Sequence, residues 1–171
     1  CVMVNILSHL SVANIWELLN TIPDPDIPVI SITELGLVKN VDIDSHNKVT
    51  VTLTPSYSGC PAMSVFQQEI KNTLLQNGAA EVEIIISYSP AWSTDLLSNA
   101  TKQKMKHYGI APPENACDTS QKLFSAGVKK VTCPLCNHNN TSLISQFGST
   151  PCKSLWHCQS CNQPFEYFKC H

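Results

Sequence analysis

The sequence predicts an α+β chain: a small three-stranded sheet with helices on one face, followed by a small β zinc ribbon. Three observations carry this. Periodic segments run α-β-β-α-β-α over residues 1–110. Two Cys-x-x-Cys pairs stand in residues 131–171. Charge changes sign between these parts: residues 1–127 hold seven lysines against twelve acids, a net of −5, and residues 128–171 hold four lysines against Glu166, a net of +3. Ala111-Pro112-Pro113-Glu114-Asn115-Ala116 supplies breakers at the junction. The expected organisation is a domain over 1–110, a linker over 111–130 and a four-cysteine module over 131–171.

Each element has a local reason. Val12, Ile15, Trp16 and Leu19 follow i, i+3, i+4, i+7 spacing, which predicts an amphipathic helix over 9–20. Pro23, Pro25 and Pro28 forbid its continuation. Residues 36–44 alternate loosely, Asp44-Ser45-His46-Asn47 supplies a turn, and residues 49–54 alternate strictly. Val49, Val51 and Leu53 face one side, with Thr50, Thr52 and Thr54 on the other, giving a half-buried strand in a hairpin. Cys60-Pro61 opens a second helix with proline at its first position. Met63, Phe66, Ile70 and Leu74 form its apolar stripe, and Asn77-Gly78 its left-handed stop. Val82, Ile84, Ile86 and Tyr88 alternate with Glu81, Glu83 and Ser87 as a third strand. Ser93 or Thr94 caps a further helix running to about His107 and closed by Gly109.

Composition narrows the function classes. The chain has 171 residues, 43% of them hydrophobic and 14% charged, with a net charge of −2. That is enough apolar content for a core and no global field to recruit nucleic acid or an anionic membrane. All basic residues are lysine, which disfavours readings built on bidentate guanidinium contacts. No apolar run reaches the roughly 20 residues of a membrane helix, and no signal peptide is expected, so the reading is a soluble cytoplasmic protein.

Cys133-Pro134-Leu135-Cys136 and Cys158-Gln159-Ser160-Cys161 are separated by 21 residues. Two thiolates on a tight knuckle reach one side of a tetrahedral ion, and a second knuckle completes it. Four soft thiolates suit zinc, with mononuclear iron in the same geometry as the alternative. Disulfides would need an oxidising compartment that nothing here indicates. Residues 140–147 and 165–168 carry β-formers, and a module of this size needs metal binding to fold. Cys152 and Cys170 either replace a ligand, support a second metal or are small buried residues. His138, His157 and His171 are nearby competitors that a complete thiolate set makes unnecessary.

Thr54-Pro55-Ser56-Tyr57-Ser58-Gly59-Cys60-Pro61-Ala62 takes a strand end through a Ser/Gly loop to a cysteine at a helix start. Unpaired N–H groups and the positive end of the helix dipole favour a thiolate there. Such a sulfur is suited to hold or pass a soft metal; the alternative is a cysteine packed under its loop. No second cysteine stands beside it for dithiol chemistry. Cysteine hydrolysis would need His46 or His107 as base.

Three motifs in order carry a resemblance: Asp24-Pro25-Asp26-Ile27-Pro28 through Thr33-Glu34-Leu35-Gly36-Leu37-Val38, Thr54-Pro55 through Gly59-Cys60-Pro61-Ala62, and Pro90-Ala91-Trp92-Ser93-Thr94-Asp95. They resemble the iron–sulfur cluster assembly factor family, the domain shared by SufT-type maturation proteins. With Gly148-Ser149-Thr150-Pro151-Cys152-Lys153 and Pro164-Phe165-Glu166-Tyr167-Phe168-Lys169-Cys170 added, residues 9–171 are similar to the PaaD family of the phenylacetyl-CoA epoxidase (ring-1,2-epoxidase) system. The resemblance implies a non-catalytic accessory protein of aerobic phenylacetate degradation. Its client would be the iron–sulfur reductase component or the di-iron oxygenase. The resemblance also puts the family's functional cysteine at Cys60, as a transient iron or cluster ligand. One thiolate cannot hold a cluster alone, so sharing across a homodimer is one arrangement it allows. Asp24, Asp26 and Glu34 are either ligands or turn and strand-entry residues, and Trp92 is either core or partner surface.

Two other classes are distinguishable. Lys129, Lys130, Lys153 and Lys169 beside Trp156, Phe165, Tyr167 and Phe168 would suit single-stranded nucleic acid, unless those aromatics fill the ribbon core. A structural or catalytic oxygenase component would need a di-iron Glu-x-x-His pattern or a glycine-rich dinucleotide loop, and the sequence has neither.

Overall fold

In the computed structural model of the chain, the structure describes residues 10–113 and 131–169. Of the expected linker 111–130, residues 114–130, Lys129 and Lys130 among them, lie outside the described residues, as do Cys170, His171 and the first residue of the 9–20 helix. Packing groups the rest into two compact units, residues 10–25 with 31–92, and residues 26–30 with 93–113 and 131–169.

In the first unit, α1 (Val12–Leu19) starts at Ser11, whose hydroxyl accepts from the Asn14 N–H while the Asn14 side chain reaches back, a reciprocal cap. Ile15 and Leu19 are buried, but Val12 is 41% exposed, so the apolar stripe begins one turn later than its spacing predicts. β1 (Val38–Ile43) and β2 (Lys48–Leu53) form the expected antiparallel hairpin. Asp44 closes its turn by accepting from the N–H groups of His46 and Lys48 at 2.8 and 2.9 Å. Val49, Val51 and Leu53 are fully buried. Thr54, expected on the outward face, is buried as well, because the strand ends at Leu53 and the chain turns inward. α2 (Ala62–Gln76) buries Met63, Phe66, Ile70 and Leu74, and Gly78 makes the left-handed stop at φ 103°. β3 (Glu81–Ile86) lies parallel to β2, giving the order β1-β2-β3, with α1 and α2 as the covering helices.

The second unit is built differently from expectation. Residues 94–96 make only a 3₁₀ turn, and the helix proper, α3 (Asn99–Tyr108), starts at the Ser98 cap and ends at Gly109. Although its sequence reads as part of the first domain, α3 packs on β4 (Ile110–Ala111). β4 in turn pairs parallel with β7 (Pro164–Phe168). β5 (Thr141–Ser145) and β6 (Lys153–Cys158) complete a sheet of order β4-β7-β6-β5. Trp156, Phe165 and Tyr167 fill its core with Ala111, Val131, Cys133 and Cys158, the Trp156 and Tyr167 rings meeting edge to face at 6.4 Å.

One buried ion pair closes the β5–β6 turn. Lys153, 3% exposed at its side chain, reaches Glu166 at 2.9 Å. Burial alone would raise the Glu166 carboxyl, but the Ser149 N–H and the Lys153 ammonium hold it below the ordinary carboxylate range. The pair is therefore intact at neutral pH and is lost only on acidification below that range. A Cβ on Gly148 would stand 2.6 Å from Glu166 Oε1 and 3.3 Å from Lys153 Cβ, so a larger residue there would have to displace the carboxylate from this pairing. Glu166→Gln should cost about 3 kcal/mol in urea unfolding at pH 7, because a buried ammonium loses its counter-ion. Replacing both partners, as Lys153→Met with Glu166→Leu, should recover most of that loss.

Candidate functional site

Because β2 and β3 are parallel, their carboxyl ends and the loops that follow lie at one end of the first unit's sheet, the position where open α/β sheets bind ligands. Backbone bonds gather three segments there. Thr54 N–H donates to Leu37 O, and Ser87 N–H to Leu53 O, both at 2.8 Å. Trp92 Nε1 donates to Leu35 O at 2.8 Å, so Trp92 is a core residue that ties the post-β3 loop to the turn before β1. Lys39 Nζ adds bonds to Ser89 O and Pro90 O at 2.5 and 3.1 Å.

Cys60 lies in the strand-to-helix turn between β2 and α2, just ahead of Pro61, which caps the helix. Its N–H bonds Tyr57 O at 3.4 Å and its carbonyl accepts from Met63 at 3.2 Å. The residue is half-buried, with exposed Ser58, Gly59 and Pro61 beside it, so it is not sealed under its loop. Gly59 has φ 85° with open space around a would-be Cβ. Glycine is needed there for the turn, not to avoid a clash. His46 does not serve this cysteine: it sits in the β1–β2 turn, at the other end of β2, with its side chain 88% exposed. His107 is in the last turn of α3, in the second unit.

Of the acidic candidates, Glu34 has a local role. Glu34 accepts from Ser31 N–H at 3.1 Å while Glu34 N–H donates to Ser31 Oγ at 3.2 Å, a reciprocal turn lock. Asp24 is buried next to the Pro23–Ser31 bridge, and Asp26 falls on an exposed stretch of the second unit.

The second unit brings together all four predicted sulfurs. Cys133, Cys136, Cys158 and Cys161 Sγ atoms lie within 4.8 Å of one another, with Cys133–Cys161 at 3.8 Å and Cys136–Cys158 at 3.5 Å. A tetrahedral ion about 2.3 Å from each sulfur requires separations of about 3.8 Å, and a disulfide about 2.0 Å, so the set fits one metal ion and no disulfide. Burial pushes the Cys133 thiol up, and burial with the neighbouring sulfurs takes Cys161 up to about 12. The Cys161 and Ser160 N–H groups bring Cys158 down to about 6. Four thiols this close ionise together only around a cation.

Two residues absent from the sequence reading shape the knuckles. Asn137 and Asn162 each follow the second cysteine of a pair and adopt left-handed φ of 62° and 58°. Asn137 N–H then bonds Cys133 O at 3.0 Å, and Cys133 and Cys158 N–H bond His138 O and Gln163 O at 3.0 and 2.9 Å. The visible signal was Asn after Cys-x-x-Cys twice, since Asn tolerates this conformation best after glycine. Cys152 stands outside the cluster, 3.0 Å from Thr150 Oγ1, and the imidazoles of His138 and His157 are not in it either.

A relative from Escherichia coli, whose provisional name is that of a 1,2-phenylacetyl-CoA epoxidase component, is 42% identical over 160 residues and 93% of both chains. The family described as PaaD zinc beta ribbon domain matches residues 118–169, and that described as iron-sulfur cluster assembly protein matches residues 12–85. The chain belongs to the PaaD family. Its first part alone is 34% identical, over 86 residues, to an Fe-S protein maturation auxiliary factor of Porphyromonas gingivalis, covering 50% of this chain and 81% of the relative. A crystal structure of a domain of unknown function, DUF59, from Bacillus anthracis matches 53% of this chain and 86% of its own at 28% identity and TM-score 0.50. As in the PaaD family, the assembly domain and the ribbon are joined in one chain, and no described helix is long and apolar enough to cross a membrane.

The knuckle geometry has a direct test. Asn137→Val or Asn162→Val forces a β-branched residue into left-handed φ, at about 1–2 kcal/mol. Metal retention against a chelator should fall about tenfold. Asn→Gly at either position should retain the metal.

Proposed function

We propose that this chain is an accessory iron–sulfur maturation factor for the multicomponent phenylacetyl-CoA epoxidase, acting on its partner components without catalysing the epoxidation. The observation that carries this reading is the half-exposed Cys60 in the turn between parallel strands and helix, in a domain of the iron–sulfur cluster assembly family. The names of the relatives, a maturation auxiliary factor for the first part and an epoxidase component for the whole length, support the same assignment.

Cys60 would serve as a transient ligand for iron or a cluster, which is cargo. Its thiol gives its proton to solvent, and the sulfur lends an electron pair to iron. Ligand exchange then passes the cargo to the client's own thiolates, with no change of oxidation state. A homodimer placing two Cys60 sulfurs on one cargo would meet the need for more than one protein ligand. The four-sulfur site would hold zinc through Cys133, Cys136, Cys158 and Cys161, which supplies folding energy to the ribbon. The ribbon would dock the client. Burial of Trp156, Phe165, Tyr167 and Phe168 and pairing of Lys153 with Glu166 remove the stacking surface and one of the cations on which a nucleic-acid reading rests.

Anaerobic purification of wild type and Cys60→Ala tests this. Both should be folded with one zinc per chain, iron should be lost only from the variant, and the client's cluster occupancy should fall at least several-fold. Unchanged occupancy would reject the role of Cys60.

A chelator strong enough to remove zinc should unfold the ribbon while leaving the first unit's helical circular dichroism in place. Persistence of the ribbon's near-ultraviolet tryptophan signal after zinc removal would show that the sulfur site is not what holds it.

A further inference from the structure

Passing iron by ligand exchange, as proposed for Cys60, puts the donor and the receiving sulfur on one metal ion, about 3.8 Å apart. The receiving protein must therefore seat against the surface around Cys60, and the composition of that surface says what it fits. Docking of the client on the ribbon leaves this requirement in place, because the exchange happens at Cys60.

Two loops make the surface. In the loop from β2 to α2, Ser58, Gly59 and Pro61 are exposed on either side of Cys60. In the loop after β3, Tyr88, Ser89, Pro90 and Ala91 are exposed. The loops leave the sheet side by side: Leu53 lies opposite Ile86 in the parallel register, and Ser87 N–H donates to Leu53 O at 2.8 Å. Neither loop carries charge, since residues 54–68 and 84–92 contain no Asp, Glu, Lys or Arg. The first unit as a whole is acidic, with eight carboxylates against three lysines. On the neighbouring turn, the Glu34 carboxylate is taken up by Ser31 N–H.

Tyr88 is 61% exposed, yet the backbone beside it is held from three directions. Lys39 Nζ donates to Ser89 O and Pro90 O, Ser87 Oγ donates to Ser89 O at 3.0 Å, and Trp92 Nε1 ties the end of the loop to Leu35 O. A large ring on a fixed base offers contact area at little cost in ordering entropy, the character of an interface anchor.

We propose that the loop 87–91, with Tyr88 as its anchor, is where a client protein seats the cysteine-bearing segment that takes iron from Cys60. Ligand chemistry selects the client. A di-iron centre holds its metal by carboxylates and imidazoles that project into a helix bundle. Carboxylates reaching for iron at Cys60 would call for cations, and the two loops offer none. Lys39 is occupied by two carbonyls. A cluster-bearing component holds iron by cysteine thiolates, and a segment joining those to an apolar pocket for the Tyr88 ring fits a neutral face. A second copy would bring another Cys60 but no acceptor beyond it. The inference rests on the maturation reading and adds the class of client and the surface that receives it.

The test measures capture of each purified epoxidase component, stripped of its metal, by the zinc-loaded full-length chain. The component with cysteine ligands should bind and shift the NMR signals of the Ser89 and Ala91 amides. Tyr88→Ala should weaken binding about tenfold, with zinc content and helical circular dichroism unchanged. Tyr88→Phe should keep it, and Tyr88→Glu and Tyr88→Lys should weaken it alike. Lys39→Met, which frees the loop, should weaken it about threefold. Equal binding by Tyr88→Ala, tightening by either charged variant, or Tyr88-dependent capture of the carboxylate-ligated component alone overturns the proposal. So does a wild-type dimer that Tyr88→Ala splits while no component binds, because the loop then serves a second copy. Loss of client cluster in Cys60→Ala with normal capture by Tyr88→Ala rejects this surface and keeps the maturation reading. Tyr88-dependent capture with client cluster unchanged in Cys60→Ala keeps the docking loop and rejects the maturation reading instead.

Discussion

The second unit depends on four sulfur atoms that stand close enough to share one metal ion and are also part of its core. Cys133 and Cys158 lie in the same buried cluster as Ala111, Val131, Trp156, Phe165 and Tyr167, with Cys136 and Cys161 packed against it. So few side chains cannot offset the ordering entropy of the strands around them. An ion between the sulfurs would anchor both knuckles and close the core in one step. Asn137 and Asn162 follow from that demand, since each knuckle must turn back within a residue of its second cysteine.

The first unit leaves a sulfur half exposed without opening its core. Its core is closed by the buried faces of β2 and α2, from Val49, Val51 and Leu53 to Phe66, Ile70 and Leu74. A parallel crossover from β2 through α2 to β3 leaves its strand-to-helix turn outside that core, and Cys60 stands in the turn. Trp92 and Lys39, bonded to carbonyls on distant segments, fasten the neighbouring loop. Rigid strands beneath and loops above are a common division of labour in proteins.

The strong periodic segments were legible. Val49/Val51/Leu53 alternates as a strand must, and Met63/Phe66/Ile70/Leu74 repeats as a helix stripe must, so the hairpin and α2 stand where their patterns put them. The four sulfurs were legible because knuckle spacing is itself the geometric requirement. β6 was not, for Lys153-Ser154-Leu155-Trp156-His157-Cys158 carries a lysine whose burial makes sense only beside Glu166. Nor was β4, two residues long and paired with a strand more than fifty positions away. Val12 and Thr54 misled because each extends a pattern to the limit of its element: Val12 lies in the exposed first turn of α1, and Thr54 is buried just past the end of β2.

The order of the elements from α1 to α3, the apolar faces of β2 and α2 and the grouping of the four knuckle cysteines were determined by the sequence itself, because each is encoded by neighbours within a few turns or one knuckle. Tertiary structure alone decided that α3 joins the ribbon through β4, that Lys153 is buried, and that the loops after β2 and β3 meet at one end of the sheet. Those features depend on partners far apart in the chain, such as Trp92 and Leu35 or Lys153 and Glu166, whose meeting is fixed by strand order and burial rather than by any local pattern.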